Sequence, residues 1–178
     1  MTATIRPLAD DDQERLHRFL AAVPEDDRSF FEEDVTDPSV AERWRLDRRS
    51  VRLVAVDDDG GIVGFAALTP GVARTSHVGD LRVVVAGRAR RRGLGRELTQ
   101  RMLLAAVELR LRKITLEVAA TQARVIEMFR RLGFEPEALL RDHLCDASGE
   151  LQDLVVLSHG VDETWSGMLS AGTDTALG

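Results

Sequence analysis

The chain has 178 residues, 44% hydrophobic and 30% charged, with a formal net charge of −6, and we expect one domain over residues 1–159 and a flexible tail over 160–178. The negative charge argues against a nucleic-acid partner, and no apolar run is long enough to cross a membrane. Because Cys145 is the only cysteine and the N-terminus has no apolar signal-peptide core, we expect a cytoplasmic protein with no internal disulfide and no multi-cysteine metal site.

Strand-like and helical patterns alternate along the first half of the chain. Asp10–Asp12 supply capping residues for a first helix, which Pro24 ends or redirects. Asp37-Pro38 has the residue types that open a second helix, to about Arg49. The Asp/Gly turn over 57–61 joins two apolar runs and predicts a β-hairpin. The expected strands of this half cover residues 3–8, 51–56 and 62–68.

The second half of the chain continues with single strands, helices and a last hairpin. Apolar residues recur at helical spacing from Gly93 to Leu109, and Thr121 has the residue type to cap a further helix, which ends near Gly133. The expected strands cover residues 77–85, 113–119, 134–144 and 151–158. This order of elements predicts an α/β (α+β) protein with a mixed sheet and helices on both faces.

The stretch from Val83 to Arg96 combines features of an anion-binding site. An apolar strand ends abruptly, and the turn that follows contains Gly93 and Gly95 and begins a helix. Such a turn offers main-chain N–H groups, the positive end of a helix dipole and guanidinium charge in one place. The arginines of the turn are Arg88, Arg90, Arg91, Arg92 and Arg96. We therefore expect this turn to bind a phosphate or pyrophosphate.

The spacing of the turn does not fit the common nucleotide motifs. A Walker A loop needs GxxxxGK[ST], and a dinucleotide fingerprint needs GxGxxG after the first strand. Arg90, Gly93 and Gly95 follow another pattern, in which an arginine precedes a glycine by three residues and a second glycine comes two residues later. With the helix over Gln122–Phe134 ending in Leu-Gly-Phe, the sequence resembles the GNAT family of acetyl-CoA-dependent N-acetyltransferases. In its motifs it is most similar to the protein N-terminal and ribosomal-protein acetyltransferases.

The resemblance extends over about residues 4–158 and implies a fold and a co-substrate. The implied fold is the GNAT acyl-CoA N-acyltransferase fold, a mixed central sheet of about seven strands with splayed central strands. The implied co-substrate is acetyl-CoA, with no metal, its pyrophosphate bound by N–H groups of the turn and its pantetheine arm by the preceding strand. The residues so implicated are Val83, Val84, Val85, Arg90, Arg91, Arg92, Gly93, Leu94, Gly95, Arg96, Gln122 and Phe129.

The resemblance also suggests catalytic residues. Glu117 lies where the N-terminal acetyltransferases have a glutamate that serves as general base. Gln122 and Phe129 replace the Asn and Tyr of that pattern, and the chain contains no tyrosine, so the phenolic acid is absent. Asp80 is a second candidate, as a proton relay through water, and His143 a third, since an imidazole suits acid–base chemistry. Each has a structural alternative, an ion-paired carboxylate or an exposed histidine.

The expected acceptor is a primary amine on a small molecule, a peptide N-terminus or a lysine. Residues 24–37 carry seven acidic groups close to Phe30, Phe31 and Trp44, and they are expected either to attract a cationic amine or to form a solvated loop. A different hypothesis, motivated by the missing tyrosine, is a catalytically weak acyl-CoA-binding sensor or partner module. The arginine run as a nucleic-acid site is disfavoured by the net charge and by the lack of interleaved aromatic residues. The resemblance also allows a homodimer.

Overall fold

A seven-stranded mixed sheet organises the computed structural model, which describes residues 3–24, 33–146 and 148–162. The strand order is β1-β2-β3-β4-β5-β7-β6, and β4 and β5 are parallel neighbours while the other neighbours are antiparallel. The strands are β1 (Ala3–Pro7), β2 (Val51–Asp57), β3 (Ile62–Pro70), β4 (Val78–Val85), β5 (Lys113–Ala119), β6 (Glu135–Cys145) and β7 (Leu151–Gly160). The helices of the described residues are α1 (Gln13–Ala21), α2 (Pro38–Leu46), α3 (Leu94–Glu108) and α4 (Ala123–Arg130). The fold predicted from the sequence is confirmed.

Most helix boundaries agree with the sequence, and two differ for local reasons. The Asp37 carboxylate accepts a hydrogen bond from the Ser39 N–H, as expected of an N-cap. Helix α2 ends at Leu46 rather than near Arg49, because the Asp47 side chain accepts hydrogen bonds from the residues that follow it. Gln122, not Thr121, is the N-cap of α4.

Two apolar clusters lie on opposite faces of the sheet. One cluster joins α3 and α4 to the sheet, with Leu98, Met102 and Phe129 packed against Leu116 and Val118. The other cluster joins α1 and α2 to the opposite face. Its buried members include Leu16, Phe19, Leu20, Val40, Phe65 and Val84. Each fully buried side chain of this size contributes about 1.5–3 kcal/mol, so the faces of β4 and β5 are fixed by their alternating apolar residues.

Asp12 has a different role from the helix cap that the sequence suggested. Its fully buried carboxylate makes a salt bridge to both terminal nitrogens of Arg6, and it binds Arg15 at 2.7 Å. It also accepts the Ala9 N–H at 2.9 Å, whereas it makes no side-chain cap bond to α1. The hydrogen bond from Arg6 lowers the pKa of Asp12 despite the opposing effect of burial. This ion cluster fixes β1 against the start of α1.

We predict that Asp12→Asn lowers the free energy of unfolding by about 2 kcal/mol, because it leaves two arginines without their buried partner. Chemical denaturation at pH 7 measures the loss. A lowered pKa in the folded state means that this stabilisation is complete above the ordinary Asp value of 3.8 and is lost as the pH falls through the folded-state pKa. The difference between the two proteins should therefore narrow below about pH 4. Asp11→Asn is the control, since the Asp11 side chain is 82% exposed.

Candidate functional site

Strands β4 and β5 separate soon after they meet. Their parallel pairing runs only from Val78–Lys113 to Asp80–Thr115, and beyond it β5 continues to pair with β7 alone. Directly after β4, the Ala86 N–H donates to the Val63 carbonyl of β3. Because main-chain groups alternate in direction along a strand, those of Val83 and Val85 point away from β3, toward the separation from β5. The splayed strands expected from the sequence are thus present.

The separation leads directly to the N-terminus of α3. Gly93 is the N-cap of that helix with φ +81°, a left-handed conformation that glycine adopts without strain, and Arg91 also has a positive φ of 62°. The N–H groups of Gly93, Leu94, Gly95 and Arg96 make no hydrogen bond to any residue that the structure describes. A Cβ on Gly93 would meet no atom within 4 Å, so space is free beside these donors. Free N–H donors at a helix N-terminus suit a phosphate group, and pyrophosphate binding at this turn stays a prediction.

The arginines of the turn divide into two groups. Arg88 binds the Asp57 carboxylate at 2.8 Å, and Arg90 donates through Nε to the Val85 carbonyl at 2.9 Å. These two contacts fix the turn to its neighbouring strands. Arg91, Arg92 and Arg96 are exposed, and within the described ranges their side chains make no hydrogen bond or ion pair. Their charge is available for a bound anion, whereas that of Arg88 is already compensated.

The Asp57–Arg88 pair was not predicted from the sequence. Asp57 also accepts the Gly61 N–H at 2.8 Å, so a single carboxylate closes the β2–β3 turn and holds the start of the arginine-rich turn. The hydrogen bond from Arg88 lowers the pKa of Asp57. The sequence shows only an acidic residue in a hairpin turn, 31 positions before its partner. A contact between residues so far apart in the sequence depends on the sheet, in which β3 places the β2–β3 turn beside the arginine-rich turn.

Two of the candidate CoA-binding residues lie on α4. The Gln122 side chain makes no cap bond to the helix and is half-buried, beside the end of β5. The Phe129 ring is buried in the core and packs edge-on against Phe134, with ring centroids 5.5 Å apart. Their contact with CoA stays a prediction. An apolar ring at position 129 supplies no proton donor, as the sequence indicated.

The two carboxylates proposed as catalytic groups come together through a third residue. Arg82 donates through Nε to Asp80 at 2.7 Å and through a terminal nitrogen to Glu117 at 3.3 Å. All three side chains lie on the α1/α2 face of the sheet, because Asp80 and Arg82 alternate with the buried Leu81, and Glu117 with Leu116. The sequence placed Asp80 and Glu117 in the site but did not identify Arg82. The sequence contains a partial indication of this role, because Arg82 is a charged residue in a core strand, two positions after Asp80.

The remaining candidates lie apart from this cluster. His143 is exposed on β6, close to a register shift between Leu140 and Leu144. Trp44 stacks on the fully buried Phe65 at 5.2 Å between ring centroids, so it anchors α2 to the core. Most of the acidic segment expected over residues 24–37, with Phe30 and Phe31, lies outside the described residues. Among those that are described, no three His, Cys, Asp or Glu side chains come together as a metal site would require, and no helix is long and apolar enough to cross a membrane.

A mixed sheet that opens between two parallel strands at the N-terminus of a helix defines the acyl-CoA N-acyltransferase fold class. The sequence model described as the acetyltransferase (GNAT) family matches residues 17–134. The chain therefore belongs to the GNAT acetyltransferase family and is an N-acetyltransferase. Among curated proteins, none matches the sequence significantly.

Solved structures share the fold over nearly the whole chain. A GCN5-related N-acetyltransferase from Kribbella flavida is 25% identical, with a TM-score of 0.76 over 89% of this chain and 98% of that chain. A ribosomal-protein-alanine N-acetyltransferase from Brucella melitensis is 24% identical, with a TM-score of 0.75 over 88% and 99%. A phosphinothricin acetyltransferase from Sinorhizobium meliloti, in complex with AcCoA, is 18% identical, with a TM-score of 0.75 over 90% and 89%.

We predict that acetyl-CoA at about 100 times its Kd raises the melting temperature by roughly 5–10 °C, and that Gly93→Glu abolishes this shift by placing a carboxylate beside the free N–H groups. Thermal unfolding with and without acetyl-CoA measures both effects. Gly149→Glu is the matched control, because Gly149 also has a positive φ and open space around its Cβ but lies in the β6–β7 turn. A parent protein that shows no shift would contradict the assignment of this turn to CoA.

Proposed function

We propose that the protein transfers an acetyl group from acetyl-CoA to a primary amine on a small molecule, a peptide N-terminus or a lysine, by direct attack in a ternary complex. The observation that best supports this function is the position of the Asp80–Arg82–Glu117 cluster at the point where β4 leaves β5. Acetyl-CoA bound there supplies an acetyl thioester, whose carbonyl carbon the amine attacks and whose CoA thiol leaves. The same opening thus receives the donor from one side and the amine from the other.

The donor side of the proposed site is built from main-chain groups. The free N–H groups from Gly93 to Arg96 would hold the pyrophosphate, with Arg91 and Arg92 adding charge. The main-chain groups of Val83 that face the separation would bind the pantetheine arm, as a strand does. Since these donors belong to a strand and a helix end that the core fixes, little ordering would be needed when CoA binds.

The acceptor side of the proposed site depends on Glu117. A primary amine is an ammonium ion at neutral pH, and it becomes a nucleophile only after it loses a proton. The Glu117 carboxylate is half-exposed at the opening and takes that proton in the proposed mechanism. As the amide forms, the nitrogen loses a second proton. This proton neutralises the departing thiolate, which leaves as the CoA thiol. Because a thiol has a pKa of about 8.5, this departure needs little help from an acid, which fits an apolar Phe129.

The charge of the acceptor side favours a cationic amine. The Asp80–Arg82–Glu117 cluster carries two negative charges and one positive charge, which suits a cationic acceptor. The ribosomal-protein and phosphinothricin acetyltransferases among the similar structures act on a protein and on a small molecule respectively, by their names. A cytoplasmic location stays a prediction from the sequence, and the resemblance allows a homodimer.

A second candidate function is a catalytically weak acyl-CoA-binding sensor or partner module. Two observations favour it: Phe129 replaces the proton-donating tyrosine, and Glu117 is already paired with Arg82. Thiol release from acetyl-CoA in the presence of amines, amino acids and peptides separates the two functions. Release with at least one class of amine supports the enzyme, while silence with all three and intact acetyl-CoA binding supports the sensor.

We predict that Glu117→Gln lowers kcat by about 10²- to 10⁴-fold, because the amide cannot take the ammonium proton. The rise in melting temperature with acetyl-CoA should be unchanged, since Glu117 lies on the acceptor side. Glu127→Gln is the control, as it removes a carboxylate of α4 that pairs with Arg131 on the surface. Equal rates for the Glu117 variant and the parent protein would reject Glu117 as the base.

A further inference from the structure

Arg82 connects the two strands at the place where their main chains stop pairing. The parallel register of β4 and β5 ends at Asp80–Thr115, and its next positions on the same face would be Arg82 and Glu117. At these positions the side chains make the contact instead of the main chains, with a terminal nitrogen of Arg82 3.3 Å from a carboxylate oxygen of Glu117. The Arg82 side chain is only 14% exposed, so this ion pair is better protected from solvent than a surface pair.

The two carboxylates hold Arg82 unequally. Asp80 lies 2.7 Å from Nε, within the range of a charge-assisted hydrogen bond, while Glu117 is 0.6 Å farther from its nitrogen (3.3 Å against 2.7 Å). Asp80 therefore anchors the guanidinium from its own strand, and the guanidinium in turn directs Glu117 on the neighbouring strand. The longer of the two contacts is the one that an incoming ammonium ion can replace at lower cost.

The charges explain why a cation is needed between these two side chains. Asp80 and Glu117 bind the same guanidinium, and without it two carboxylates on one sheet face would repel each other. Glu117 would then turn toward solvent, away from the separation of β4 and β5. An amine bound at that separation would lose its proton acceptor by a shift of about 1 Å, a displacement that can cost 10²-fold in rate.

We propose that Arg82 is the positioning residue of the acceptor site. Asp80 anchors its guanidinium, which holds Glu117 toward the opening until the ammonium ion of the substrate replaces the guanidinium as the partner of Glu117. This inference rests on the proposed function, because it gives Arg82 a purpose only where Glu117 accepts a proton. It assigns Asp80 to the anchoring of Arg82, in place of the proton relay considered from the sequence.

Four proteins test the proposal: the parent, Arg82→Met, Glu117→Gln and the double variant. Arg82→Met should lower kcat by about 10- to 100-fold and leave the KM for acetyl-CoA unchanged, because the donor side is untouched. In the Glu117→Gln background the same substitution should have no further effect, since the residue that Arg82 positions is already inactive. An equal loss in both backgrounds, or no loss in the parent, would overturn the proposal.

Arg82→Lys separates positioning from simple stability. A lysine keeps the charge but not the two-sided guanidinium, so it should recover part of the kcat lost in Arg82→Met. Arg101→Met is the matched control, as Arg101 forms an ion pair with Glu97 on α3, and its kcat should equal that of the parent. Failure of the lysine variant to exceed the methionine variant, when both bind acetyl-CoA like the parent, would count against a role for the charge.

A spectroscopic measurement keeps the test independent of turnover. The ¹³C chemical shift of the Glu117 carboxyl carbon should change in Arg82→Met and stay at its parent value in Arg101→Met. An unchanged shift in Arg82→Met would refute the Arg82–Glu117 interaction. If the parent binds acetyl-CoA but acetylates no amine, the proposed function fails by itself, and the chemical shift still decides whether Arg82 holds Glu117.

Discussion

The limited pairing of β4 with β5 is the constraint on which the rest of the site depends. Three residue pairs join these parallel strands, and then β4 stays with β3 while β5 stays with β7. Because α3 connects β4 to β5 and packs on the sheet through Leu98 and Met102, its N-terminus lies at the mouth of the separation. Free main-chain groups of a strand and of a helix start are thereby brought to one place, where a long phosphorylated ligand can bind both.

The arginine-rich turn is a local concentration of positive charge in a protein with a net negative charge. Arg88 and Arg90 are used inside the structure, where they hold the turn to β2 and β4. The exposed arginines that remain lie beside N–H groups that make no hydrogen bond within the described part of the chain. In the proposed site, an anion would be held by main-chain N–H groups first and by side-chain charge second, and the open space around Gly93 leaves room for it.

On the other side of the separation, the proposed chemistry depends on a few charges that share one face of the sheet. Asp80, Arg82 and Glu117 form an ion cluster where the α1/α2 face is polar and half-exposed. Phe129 packs in the core on the opposite face, so the residue that replaces the tyrosine of the resembled pattern has become part of the hydrophobic packing. Proton transfer in the proposed reaction is consequently assigned to a carboxylate alone.

The elements, their order and the family could be predicted from the sequence, and so could the turn proposed to bind an anion, because alternation, helical spacing and glycine positions are local properties of the chain. Tertiary structure alone decided which charges meet. Glu117 lies 35 positions from Arg82, and Arg88 lies 31 positions from Asp57, and both contacts follow from the register of neighbouring strands. That register is set by helices packing on the sheet, a property of the whole core that no single stretch encodes. For the same reason Asp12 was predicted as a helix cap from its residue type, whereas packing made it a buried partner of two arginines.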